Sequence, residues 1–140
     1  MSFEIDLESA RTLAAEYTRL HRTIQSMAAA EDHDPNWNAQ RAAELDALTS
    51  RFGELVQQLA GEVGRMAREH PSEWRAFLAS SVERLQLLAK HDKPLRMVSY
   101  EADEWTSWLR GQAPRDPAEI FARGIRVLAE YREDIEQLAK

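Results

Sequence analysis

The amino-acid sequence predicts an all-α protein: a single-domain bundle of about five helices over residues 1–140, built on a long antiparallel hairpin of the first two. Three observations carry that expectation. Apolar residues recur at spacings of three and four along most of the chain, the repeat of one face of a helix. Most of the five glycines and five prolines fall where one such stretch ends and the next begins. The chain is 140 residues long, 44% hydrophobic and 30% charged, enough for one core without cross-links, and it contains no cysteine.

The first residues depart from the helical repeat. Phe3, Ile5 and Leu7 alternate with Glu4, Asp6 and Glu8, a period of two that predicts a short extended lead-in lying against the bundle. The first helix is then expected from about Asp6 to Glu31, with Ala10, Leu13, Ala14, Tyr17, Leu20, Ile24, Met27 and Ala28 on one face. The second is expected from about Pro35 to Glu69, on a stripe of Leu45, Leu48, Phe52, Leu55, Leu59, Val63 and Met66. Beside that stripe, Ala42, Gly53, Ala60, Gly64 and Ala67 form a face of small side chains, which predicts that this helix is central and approached from two sides. Heptad-like spacing in both helices predicts knobs-into-holes packing between them. The third helix begins after Pro71, with Ser72 as its expected N-cap, and turns Trp74, Phe77, Leu78, Ser81, Leu85 and Leu88 inward. The fourth, about Ser99 to Arg110, stops at Gly111, the residue type best suited to a left-handed C-terminal position. The fifth runs from Asp116 to near the C-terminus, with Phe121, Gly124, Leu128, Tyr131, Ile135 and Leu138 inward.

Residues 31–38, EDHDPNWN, hold the densest group of metal-ligating side chains in the chain. DPNW at 34–37 and DPAE at 116–119 share a pattern, however: an aspartate, then a proline, then a helical repeat. Aspartate is a favoured N-cap, and proline at the first helical position loses no hydrogen bond. Asp34 is therefore expected to cap the second helix and Asp116 the fifth, with Glu119 placed to complete a capping box. That leaves His33 as the one nitrogen ligand at 31–38. His21, His70 and His91 are scattered, and no HExxH pair occurs. The cluster reads as a corner between helices, and no metal or cofactor is expected.

The net charge of −6 is uneven: residues 1–70 hold 7 Lys and Arg against 12 Asp and Glu, while residues 71–140 hold 11 against 12. Phosphate would be repelled by the acidic half, so nucleic-acid binding is disfavoured. The locally basic stretch KHDKPLR, 90–96, reads as a solvated connection. No apolar run approaches the ~20 residues of a bilayer span, so no membrane partner is expected. The acidic N-terminus has no apolar core of a secretory signal, and a cysteine-free chain fits a cytoplasmic location. Catalytic apparatus is also missing from the sequence. There is no phosphate-binding glycine loop, the serines fall at caps or within helices, and His21, next to Tyr17 on the first stripe, has no nameable converging group.

What stands out is the fourth helix, SYEADEWTSWLRG, which carries two of the four tryptophans on about three turns. Tryptophan is enriched at interface hot spots. The expected function is accordingly non-enzymatic: an acidic helical protein that binds another protein, in the manner of immunity proteins, inhibitors, chaperones or adaptors. Tyr100, Glu101, Glu104, Trp105, Trp108 and Leu109 are its candidate contact residues. A basic partner suits the charge, and a second copy of the chain is the alternative, because a long stripe can continue across a two-fold axis. The rival readings are a small-molecule pocket lined by Trp105, Trp108, Tyr131 and His21, and a metal-dependent enzyme using Glu31, Asp32 and His33.

Overall fold

The computed structural model describes residues 2–91 and 96–140, so the middle of the basic stretch at 90–96 lies outside the described residues. Among the described residues six helices follow one another: α1 (Phe3–His33), α2 (Ala39–Glu69), α3 (Pro71–His91), α4 (Arg96–Leu109), α5 (Pro117–Glu130) and α6 (Arg132–Leu138). No strand occurs among the described residues, and none of the described helices is long and apolar enough to cross a membrane. The fifth expected helix is interrupted at Tyr131, which is why there are six.

The extended lead-in is instead the first turn of α1. Ser2 caps the helix, its hydroxyl accepting from Ile5 N at 3.3 Å, and Glu4 and Asp6 face the positive end of the helix dipole. Phe3 and Leu7 are one turn apart, so they and Ala10 and Ala14 share the buried face, while Ile5 points away and is 60% exposed. The apparent period of two is half of a helical one.

Caps also move. Asp34 ends α1 rather than starting α2: its carboxylate accepts from Asn36 N at 2.8 Å and pairs with Arg41. Asn38 caps α2 by accepting from Arg41 N at 2.9 Å. Pro71 opens α3 directly after α2, with Trp74 N bonded to the His70 carbonyl at 2.8 Å, so Ser72 is inside the helix. At the end of α4, Gly111 adopts φ 94° and donates to the Trp108 carbonyl, while Gln112 donates to that of Ser107. This pair of bonds is a Schellman motif.

The α1–α2 hairpin and the α3–α4 pair are the two closely packed units, and α5 lies between them, touching α1, α2 and α4. Ala118, Ile120, Phe121, Ala122, Gly124 and Val127 of α5 are all buried. The central helix is thus α5, not α2. The small-residue face of α2 is open at Gly53, where an added Cβ would meet nothing within 4 Å, and at Gly64 such an atom would meet only the Arg68 side chain of the same helix. The core runs from Phe3 and Leu7 through Leu59, Met66, Leu85 and Leu88 to Trp105 and Phe121. It ends part-way along the hairpin: α1 has no fully buried side chain after Leu20, and α2 has none before Leu55. Beyond those points α1 and α2 continue as a two-helix arm.

Candidate functional site

The side chains of α4 that the sequence offers to a partner are divided by the fold. Trp105 is 0% exposed, and its Nε1 donates to the Ile120 carbonyl of α5 at 3.1 Å. Its ring stacks on Phe121 with 20° between planes and meets Phe77 and Trp108 edge-on. Trp74 closes the cluster against Trp108. Both indoles are therefore core, a correction to the contact surface expected from sequence. The physical reason is that α5 supplies what an indole needs, an aromatic wall and a carbonyl for its N–H. Glu101 is buried as well, Glu104 and Leu109 are half-buried, and Tyr100 is 47% exposed. Nor do the residues of the small-molecule reading converge. His21 lies exposed on α1, stacked on Tyr17 at 6.1 Å between centroids, away from the indoles packed among Trp74, Phe77 and Phe121.

Glu101 faces Arg123 of α5, with Oε1 2.6 Å from Nη2. The guanidinium also reaches Glu119 at 3.3 Å and lies 4.8 Å over the Tyr100 ring. The Glu101 contact is close but poorly aligned, and neither carboxylate oxygen completes a hydrogen bond. Burial raises the pKa of Glu101 above its ordinary value, and Arg123 opposes this only in part.

A second charged group, passed over in the sequence, lies where α1 begins and α2 ends. Asp6 is 1% exposed, and Arg65 forks onto it, Nη2 to Oδ1 at 2.9 Å and Nη1 to Oδ2 at 3.2 Å. Arg65 also holds Glu62 at 2.7 Å and Glu69 at 3.2 Å. His70 Nε2 is 3.0 Å from Asp6 Oδ2, and its Nδ1 is 3.7 Å from Glu73. The hydrogen bond from Arg65 holds the Asp6 carboxyl below its ordinary value, with His70 adding to the effect. The sequence does carry a signal for this cluster: Asp6 stands one turn from Ala10 on the inward face, an acid within an apolar stripe. Reading a period of two turned it outward.

Asp6, Glu69 and His70 place potential ligand atoms within 4.8 Å of one another. Arg65 is already among them, bonded to both Asp6 oxygens, and a divalent ion would set a second cation against the same carboxylates. The arrangement fits a guanidinium clasp. A histidine–aspartate pair can position a proton for a nucleophile, but the group facing the other ring nitrogen is the carboxylate of Glu73. At the 31–34 corner, Glu31, Asp32 and His33 are exposed along the last turn of α1, and Asp34 is engaged by Asn36 and Arg41.

No family model matches the chain, and no curated protein or solved structure matches it either. Its own surfaces are what bear on function.

Proposed function

We propose that the protein is a non-enzymatic helical module that binds another protein through the outer half of its α1–α2 hairpin. One observation supports this reading above others: the apolar stripe outlasts the core. Ile24, Met27, Leu45 and Leu48 continue it past the last fully buried residue of α1 and before the first of α2, and all four stay half-buried, Leu48 still packing against the edge of the core. In the body the same stripe is covered by α5. Burying apolar surface is worth ~25 cal/mol per Å², and two further helices, or a groove, would complete the layer as in a four-helix bundle.

The charge of the arm favours a basic partner. Between residues 21 and 54 it carries Glu31, Asp32, Asp34, Glu44, Asp46 and Glu54 against Arg22, Arg41 and Arg51. Two acidic arms would repel each other, which sets a second copy of the chain behind a basic partner. The test places a photo-crosslinking residue at the exposed Ala43 and exposes the protein to lysate of its own source. The expected result is one cross-linked protein, lost when Met27→Glu/Leu48→Glu is introduced with helicity unchanged. Self-crosslinking alone would make the partner a second copy; no specific product would overturn the reading.

A further inference from the structure

Three hollows adjoin along α5, two on its seam with α1 and the third where α5 and α6 meet α3 beside Arg11. At one end, a hollow of about 330 Å³ is lined by Arg22, Arg123 and Arg126. The middle one, about 230 Å³, is floored by Ala14, Ala122 and Ala129 beside Ile125. At the other end, Arg11, Arg84 and Arg132 surround a hollow of about 380 Å³ with Phe77 and Leu128 at its base. Thr18 and Arg126 are common to the first two hollows, and Ile125 and Ala129 to the last two, so the three form one furrow. From Glu119 to Glu130 it follows α5 for ~16 Å, at ~1.5 Å of rise per residue, and it ends beside Arg132 of α6.

An acidic protein has thus placed arginines at both ends of an apolar channel. Four of them hold acids of their own: Arg11 with Glu8, Arg22 with Glu130, Arg123 with Glu101 and Glu119, and Arg132 with Glu136. Among the described residues Arg84 and Arg126, one at each end, have no carboxylate in ion-pair contact and the Nε of Arg126 has no hydrogen-bond partner, although the charge of Arg126 is felt by Glu101. A guanidinium not already in ion-pair contact is free to donate a charge-assisted hydrogen bond to an incoming carboxylate. The furrow is open to solvent along its length, whereas small-molecule sites enclose roughly 70–90% of their ligand. Its alanine floor lets another backbone come close.

We propose that this furrow receives an acidic amphipathic helix of a protein partner, with small apolar residues against Ala14, Ala122 and Ala129 and carboxylates at Arg84 and Arg126. The mode is a helix laid into a groove. The inference rests on the reading of the protein as a protein-binding module, but apart from the stretch around Arg22, which borders both, it uses a different surface from the arm, and one of opposite charge preference.

The test is selection of helical peptides from a random display library on the full chain. The enriched sequences are expected to carry Asp or Glu on both flanks of a small-residue face. Binding of a fluorescein-labelled selected peptide should weaken about tenfold or more in Arg84→Glu/Arg126→Gln. It should also fall in Ala129→Trp, which fills the middle hollow at an exposed position without changing charge. Thermal melts confirm that both variants fold. Enrichment of basic peptides whose binding is lost in Met27→Glu/Leu48→Glu and kept in Arg84→Glu/Arg126→Gln would overturn this inference and leave the arm reading standing. Enrichment of nothing, or displacement of the selected peptide by dodecanoate with equal loss in both furrow variants and no acidic consensus, would overturn the helix as occupant. Loss of acidic-peptide binding only in the furrow variants, with no crosslink from the arm, would uphold the furrow and reject the arm.

Discussion

Asp6 and Glu101 are both almost wholly removed from water and both face an arginine, yet their pKa values shift in opposite directions. Arg65 forks onto Asp6 in good alignment and His70 adds a third contact, so the ionised form is favoured and its pKa lies below the ordinary 3.8. Glu101 has Arg123 in poor alignment and Arg126 acting through its charge alone, so desolvation wins and its pKa lies above the ordinary 4.5. The consequences for stability run in opposite directions. The depressed Asp6 contributes stability that is present above pH 3.8 and lost as pH falls toward its folded value. The raised Glu101 binds its proton more tightly when folded, so its contribution is full below pH 4.5 and lost as pH rises through its folded value. Urea unfolding across this range is expected to separate them. Asp6→Asn should lower stability at neutral pH and flatten the acid limb. Glu101→Gln should flatten the decline above pH 4.5, because a buried charge with incomplete hydrogen bonds is replaced by a neutral isostere. Parallel profiles for wild type and Glu101→Gln would mean that Arg123 compensates its charge fully.

Docking of α4 on α5 depends on one missing side chain. The Trp105 ring occupies the place of a Cβ on Gly124, 2.3 Å from where that atom would be, and the ring is held on three sides by Phe77, Trp108 and Phe121. Gly124→Ala should therefore destabilise by about 1–3 kcal/mol through overpacking, with a shift in tryptophan emission. Gly53→Ala, on the open face of α2, should instead stabilise by up to about 1 kcal/mol, the helix propensity difference alone. Equal effects at the two glycines would refute the close approach. Gly124 also marks how far the sequence could be read. Its place among inward residues of the fifth helix was legible from spacing, as were the stripes of α2 and α3 and the stop at Gly111. That Trp105 is the ring packed on Gly124 was not, because a helix repeat gives the face a residue occupies and not the helix it meets. For the same reason the sequence pointed to Trp105 and Trp108 as a surface. Cap positions failed for a local cause: at 34–38 both Asp34 and Asn38 can accept from a backbone N–H, and Asn36 and Arg41 claim Asp34.

At the scale of the molecule, the chain divides into a body layered around α5 and an arm, residues 21–54, in which no side chain is fully buried. Helices this short in isolation are marginal, and tertiary packing supplies most of their stability. In the arm the apolar residues Ile24, Met27, Leu45 and Leu48 are only half-buried, whereas Leu59, Val63 and Met66 in the body are fully buried within the core. Amide hydrogen exchange should then report two levels of protection. Amides of residues 24–30 and 42–48 should exchange about tenfold or more faster than those of 57–66 and 118–127, through opening of the arm alone. Uniform protection would mean that arm and body open as one unit. The pattern should also respond to association. If the arm pairs with a second copy, its protection will rise with protein concentration, because dimer formation stabilises the folded arm by mass action. If it awaits a different protein, dilution will leave the arm unchanged, and protection will rise only when that partner is added.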